Sequence, residues 1–189
     1  MTACPICGTD FCSKHFDSWW NSNKFDWQES SWALARWCYM HFSKWWDPER
    51  FDWQSGSWSL VEHCKQYFDI WWDPNKYNWQ DYSWTLPVHC SDLFDKWWDT
   101  NKFNWTDSHI LAECCSEYFH KWWDPNRFDW KKASWSLAKY CNQYFDIWWD
   151  PNKFNPYDIW ALEVYCQEHR SKWQEFVKLC KILLDLKEQ

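Results

Sequence analysis

The chain of 189 residues carries 24 Trp, 13 Phe and 9 Tyr, far more aromatic side chains than an average domain. Rings that each bury roughly 150–250 Å² allow a core built on Trp and Phe instead of aliphatic residues. A net charge of −7 argues against nucleic acid as a partner, because phosphate binding calls for an excess of Lys and Arg.

No basic n-region followed by an apolar stretch is visible, so no signal peptide is expected. No apolar run reaches the roughly 18 residues of a membrane span. These absences predict an intracellular, non-secreted protein. Eleven Cys in such a chain point to reduced thiols, a metal site, or both.

Residues 1–15 read as a Cys-rich N-terminal cap. Cys4-Pro5-Ile6-Cys7 is followed by Cys12 and His15. A C-x-x-C turn brings two thiolates together, and Cys12 and His15 at i, i+3 supply two more ligands. That set suits one structural zinc in a tetrahedron, holding together a cap with little core of its own. An alternative reading makes Cys12 and His15 ordinary repeat positions. They align with Cys38 and His41, and with Cys166 and His169, and only Cys4 and Cys7 lie outside the repeat.

Residues 16–169 are six tandem repeats: Phe16–His41, Phe42–Tyr67, Phe68–Leu93, Phe94–Tyr118, Phe119–Tyr144 and Phe145–His169. Their template is F-x-x-W-W-D-P-N-K-F-D/N-W-x-x-x-S-W-x-L-x-x-x-C-x-x-Y/H. In Ser57–Trp72 the apolar residues fall at helical spacings of three and four. Ser57 is a good N-cap, and the residue before Pro74 disfavours the α region. The spacing therefore predicts a long helix from Ser57 to about Trp72. Asp at N-cap with Pro at N1 predicts a second, short helix over Asp73–Trp79. Each repeat is then an αα unit, and the array an all-α helical solenoid with distinct caps. A β-solenoid fits poorly, since Gly8 and Gly56 are the only glycines and no repeat alternates with period two.

The recurring Cys column, Cys38 to Cys166, is expected as buried thiols where helices pack closely. Helices about 8–10 Å apart hold equivalent Cys too far from one another for a disulfide. Of each WW pair, one ring goes to the core and the other is partly exposed. Asp47, Asp73, Asp99, Asp124 and Asp150 form an acidic column, expected as helix caps. Lys24, Arg50, Lys76, Lys102, Arg127 and Lys153 form a basic one, either solvated or a ridge for an acidic partner. His109 and Pro156 replace template Trp residues in the two repeats that are one residue short, and altered packing is expected there.

Residues 170–189 read as a C-terminal capping helix. Trp160 to about Lys187 holds no Pro or Gly, and Trp173, Phe176, Val177, Cys180, Leu183 and Leu184 form one apolar stripe. The stripe covers the last repeat or makes a homo-oligomer.

The W-W-D-P-N-K-F-N/D-W motif, the S-W-x-L-x-x-x-C segment and the Cys4/Cys7 leader resemble Trp-rich tandem-repeat proteins of large DNA viruses that infect amoebae, the marseilleviruses in particular. The resemblance runs from Cys4 to Trp173. It implies a viral protein, in the particle or the host cytoplasm or nucleus, acting on host components. It supplies no catalytic residues. No glycine-rich phosphate loop, nucleophile elbow or HExxH occurs either, and the polar residues recur in every repeat. The expected function is therefore a non-enzymatic scaffold for a protein partner. The alternatives are a self-associating particle component and a nucleic-acid-associated protein.

Overall fold

The computed structural model describes residues 3–186, with Leu184 and Asp185 described in their backbone alone. Leu184 of the predicted stripe and the chain from Lys187 onward lie outside the described side chains. The fold is all-α, as predicted. The one extended pairing among the described residues is an antiparallel bridge between Ala3 and Asp10. The chain divides into two compact units between Trp98 and Asp99. In the first, the helix Trp27–Trp37 packs on Trp53–His63, which packs on Thr85–Cys90. In the second, Ser108–Cys114 packs on Trp130–Tyr140, then come Ile159–Tyr165 and the C-terminal helix Arg170–Asp185.

Each repeat contains one long helix, a 3-10 turn and a short helix, but their limits differ from those the sequence predicts. The long helix of the second repeat is Trp53–His63, not Ser57–Trp72. Its N-cap is Asp52, whose carboxylate accepts from the Gln54 and Ser55 amides. The Asp or Asn of F-D/N-W caps in the same way at Asp26, Asn78 and Asp129. An Asx side chain there satisfies amides that the first turn would otherwise leave unpaired.

The predicted N-cap serine has another task. The Ser57 hydroxyl is buried one turn inside the helix and donates to the Trp53 carbonyl. It also accepts the Asn78 amide of the next repeat at 3.2 Å. Ser31 and Ser134 repeat this arrangement, taking the Asp52 and Asn155 amides at 3.1 and 3.0 Å. One hydroxyl thus joins its own helix to the next helix's N-cap. The sixth repeat carries Ile159 at this position.

The long helix stops at Cys64 although neither Gly nor Pro stands there. The Cys64 carbonyl accepts the Tyr67 amide at 2.9 Å, a 3-10 pattern, and the Trp71 indole N–H at 2.9 Å. Tight turning at Lys65–Tyr67 then leads into the short helix Phe68–Trp71. The first Trp of every WW pair makes this bond seven residues back, and so does Trp173 in the C-terminal helix. For Trp19, Trp45, Trp97, Trp122, Trp148 and Trp173 it measures 2.7–2.9 Å.

The Asp-Pro step starts no helix. Asp73 Oδ1 accepts the Asn75 amide at 2.9 Å and the Asp73 carbonyl accepts the Lys76 and Tyr77 amides. Asp47, Asp99, Asp124 and Asp150 form the same Asx turn. The acidic column therefore closes turns and caps no helices. Both devices use an Asx oxygen on an amide two residues on, so the residue type alone does not separate them.

The two Trp separate as expected in the second to sixth pairs, whereas Trp19 and Trp20 of the first are both half-buried. Trp45, Trp71, Trp122 and Trp148 are each 1% exposed, whereas Trp46, Trp72, Trp123 and Trp149 are half-buried. The second Trp stacks on the phenylalanine that opens its repeat, as in Phe42–Trp46 at 5.1 Å and 18°. That phenylalanine also stacks with Tyr67, at 4.4 Å. Phe119 with Tyr144, and Phe145 with His169, match it. Burying such a ring contributes roughly 1.5–3 kcal/mol, against about 1 kcal/mol for a hydrogen bond. The rings therefore supply most of the stability, and the indole bonds fix their direction.

All eleven cysteines are free. The Cys64, Cys141 and Cys166 thiols donate to the Ala35, Ala112 and Ala138 carbonyls of the preceding helix. Burial pushes the thiols of Cys38, Cys64, Cys90, Cys115, Cys141 and Cys166 up to about 12. The ladder is core, as the helix spacing predicts.

The short repeats change where expected. In the fourth and sixth repeats the first helical turn is 3-10, at Trp105–Asp107 and Pro156–Asp158. A turn of three residues absorbs the missing one. Phe176 of the C-terminal helix stands edge-on to Trp149 at 5.5 Å and 82°, close to the 5.7 Å and 80° of Trp53 on Trp46. It fills the place that Pro156 vacates. Pro87 adds an irregularity. Lacking an N–H for the Ser83 carbonyl, it splits the third repeat's long helix into Trp79–Tyr82 and Thr85–Cys90. The Tyr77 and Thr85 hydroxyls gather on the Tyr82 carbonyl, at 2.7 and 2.8 Å.

The C-terminal helix caps with only part of its predicted stripe. Trp173, Val177 and Cys180 are buried at 4% exposure, whereas Leu183 is 59% exposed. A second row, Leu179, Ile182, Leu183 and Leu186, faces outward at spacings of three and four.

Replacing Ser57 by Ala leaves the buried Asn78 amide without its acceptor. Urea unfolding should show a loss of about 1–3 kcal/mol, the cost of an unmet buried donor.

Candidate metal centre and aromatic face

The N-terminal cap folds around Cys4. The Cys4 amide donates to the Thr9 carbonyl at 3.0 Å and the Gly8 amide to the Cys4 carbonyl at 2.8 Å. Gly8 turns the chain at φ 72°, a left-handed conformation that glycine adopts without a Cβ penalty. The Ile6 amide points at Cys4 Sγ, 3.4 Å away.

This knuckle meets the start of the first repeat. The Cys4, Cys7 and Cys12 sulfurs and a His15 ring nitrogen all lie within 4.8 Å of one another. His15 Nδ1 is 3.6 Å from both Cys4 Sγ and Cys12 Sγ. A zinc tetrahedron with bonds of about 2.3 Å to sulfur and 2.0–2.1 Å to nitrogen sets S–N edges of about 3.5–3.6 Å and S–S edges of about 3.8 Å. Two of the three S–N edges thus have the required length, and the widest edge closes by about 1 Å.

The electrostatics favour thiolates at two positions. Burial raises the Cys4 thiol, but the Cys7 and Ile6 amides outweigh it and hold the group below its usual value. Exposed Cys7 is drawn down to about 7 by the Thr9 hydroxyl and amide and by Cys12 and Cys4. Burial raises Cys12. Ser18, which nothing in the sequence singles out, stands 3.7 Å from Cys4 Sγ and donates to the His15 carbonyl.

Cys12 and His15 keep their repeat positions and also join the cluster with Cys4 and Cys7. The Cys12 carbonyl accepts Trp19 Nε1 at 2.9 Å, as every repeat cysteine does for its own Trp. Its thiol has no preceding helix to donate to. At the position of His15, later repeats stack a ring on the previous short helix, as His41 does on Phe16 at 4.5 Å. No earlier helix stands before His15 among the described residues, and its ring meets the cysteines instead.

The Trp that follows the repeat serine forms the other feature. Trp32, Trp58 and Trp84 belong to the first compact unit, and Trp32 stacks on Trp58 at 6.3 Å and 25°. Trp84 is 40% exposed and Trp32 and Trp58 are half-buried. In the second unit Trp135 and Trp160 hold this position, beside Tyr140 and Tyr165, and His109 takes it in the fourth repeat. The indole N–H groups of Trp32, Trp84 and Trp135 donate to the Glu29, Asp81 and Lys132 carbonyls. The basic column is not a free ridge. Lys76, Arg127 and Lys153 reach into the loop of the preceding repeat.

Comparison with protein-family models, curated proteins and solved structures gives no match. No helix among the described residues is long and apolar enough to cross a membrane.

Metal analysis of the purified chain should find one zinc per molecule, falling by at least half in Cys4→Ser and Cys7→Ser. In the stripped protein, iodoacetamide at neutral pH should label Cys7 first, and zinc should block that labelling.

Proposed function

We propose that the chain is a non-enzymatic repeat scaffold that binds a protein partner through its exposed Trp rings. The observation that carries this reading is the row of Trp32, Trp58 and Trp84. The chain's own carbonyls hold the edges of Trp32 and Trp84, and all three rings keep part of their surface in solvent. A ring whose N–H is already bonded offers area and a π-face but no donor. Such faces suit apolar, proline and cationic side chains of a partner. Partly exposed aromatic rings in a contiguous patch are also what binding hot spots are made of. The polar groups of the repeats recur in structural bonds, and the set that breaks this pattern is the Cys4, Cys7, Cys12 and His15 cluster.

In this reading the N-terminal cluster holds one structural zinc. It closes the end of the first repeat, where no earlier helix covers the core among the described residues. The resemblance to Trp-rich viral repeat proteins adds a setting, a particle protein acting on host components.

Affinity capture should compare the intact chain with a Trp32→Ala, Trp58→Ala, Trp84→Ala variant. The variant should keep its helical circular dichroism and lose the captured partner. A partner retained by the folded variant counts against the aromatic face.

A further inference from the structure

The ends of the array carry the two halves of a contact that the interior completes. Within the chain, the basic residues of three repeats grip the loop before them, whereas Arg50 lies over the Trp27 ring, 5.1 Å from its centre. Lys76 donates to the Pro48 carbonyl at 3.1 Å and to Glu49. Lys153 donates to the Pro125 carbonyl at 3.1 Å and to Asn126 Oδ1 at 3.3 Å. Arg127 bonds the Thr100 carbonyl and Asn101 Oδ1. The same loop carbonyls also accept the indole N–H of their own repeat, from Trp53, Trp130 and Trp105. Both lone pairs are thereby used.

In the first repeat, Lys24 has the basic position, and no loop of an earlier repeat stands before it among the described residues. Its side chain is exposed and makes no hydrogen bond or ion pair among the described residues. Beside it a groove of about 350 Å³ opens, lined by Pro5, Ser18, Trp20, Asn21 and Phe25.

At the C-terminal end the opposite holds. The loop Asp150–Lys153 has the same Asx turn, with the Asn152 amide on Asp150 Oδ1. Its Pro151 carbonyl receives neither donor among the described residues. Pro156 stands where the indole would be, and Lys178, which the repeat spacing places in the role of the next basic residue, pairs with Glu175 at 2.6 Å. Pro151 and Asn152 are both exposed.

We infer that copies of this chain associate head to tail, the Asp150–Lys153 loop of one docking at the Lys24 groove of the next. Lys24 would donate to the Pro151 carbonyl and Asn152 Oδ1, as Lys153 does to Pro125 and Asn126. The occupant is a second copy because the required ligand, an Asp-Pro-Asn turn with open oxygens, stands in the chain's own sixth repeat. Such a contact joins different surfaces, and so it adds copies one after another instead of closing an isologous pair. It involves none of the exposed Trp residues of the aromatic face and stands or falls separately from that face.

Sedimentation of the intact chain should show a mass that rises with concentration. Lys24→Ala and Asn152→Lys should each weaken association roughly tenfold or more, the weight of one hydrogen bond to a charged group. An equimolar mixture of the two variants keeps one intact loop and one intact groove. It should form a one-to-one dimer and nothing larger. A monomeric mass at the highest soluble concentration overturns the inference. So does association that survives both substitutions, or that is lost in Leu183→Lys instead, which would assign it to the outer row of the C-terminal helix.

Discussion

The bond from each WW indole to the cysteine carbonyl seven residues earlier sets the shape of every repeat. It holds the end of the long helix open, in a 3-10 turn, at a point where no residue is a helix breaker. The short helix then folds back with its Trp buried beneath the cysteine and its phenylalanine stacked with two rings. The buried serine adds the link forward, from the middle of one helix to the N-cap of the next. The cysteine thiol adds the link backward, to an alanine carbonyl. Small side chains at both points let the helices approach closely enough for these weak contacts to form.

The repeat, the all-α class, the buried and half-buried members of the second to sixth WW pairs, the free thiols and the disturbed repeats at His109 and Pro156 were legible in sequence. So was the clustering of Cys4, Cys7, Cys12 and His15. The helix limits were not. Ser57–Trp72 keeps helical spacing throughout, and its interruption at Cys64 is made by Trp71, a side-chain contact that periodicity does not register. Ser57 and Asp73 are both good caps by type, yet one is buried in a helix and the other closes an Asx turn. Asp52, the actual cap, sits in the motif before a Trp that belongs to the helix. The C-terminal helix shows a similar limit. A stripe drawn from Trp173 to Leu184 merges two rows, one buried and one facing out.

The ends of a tandem array are where equal residues come to have unequal chemistry. Cys12 and His15 occupy template positions, and their backbone follows the template. Among the described residues no helix stands before them, and their thiol and ring meet Cys4 and Cys7 instead. Lys24 and Pro151 follow the same logic with polar groups. A template residue without its neighbour keeps the geometry of a contact and lacks the contact itself. A candidate site therefore arises here without any new residue type.

The thiol ladder also makes the array its own gauge of local opening. One cysteine per repeat is sealed in the core and held as a thiol by burial. Such a group reacts only when its own repeat comes apart. In a quasi-one-dimensional array, opening free energies differ from repeat to repeat and fall toward frayed ends. The order in which the ladder cysteines become reactive would thus map cooperativity along the chain, with the helix that Pro87 splits as a natural weak point at Cys90.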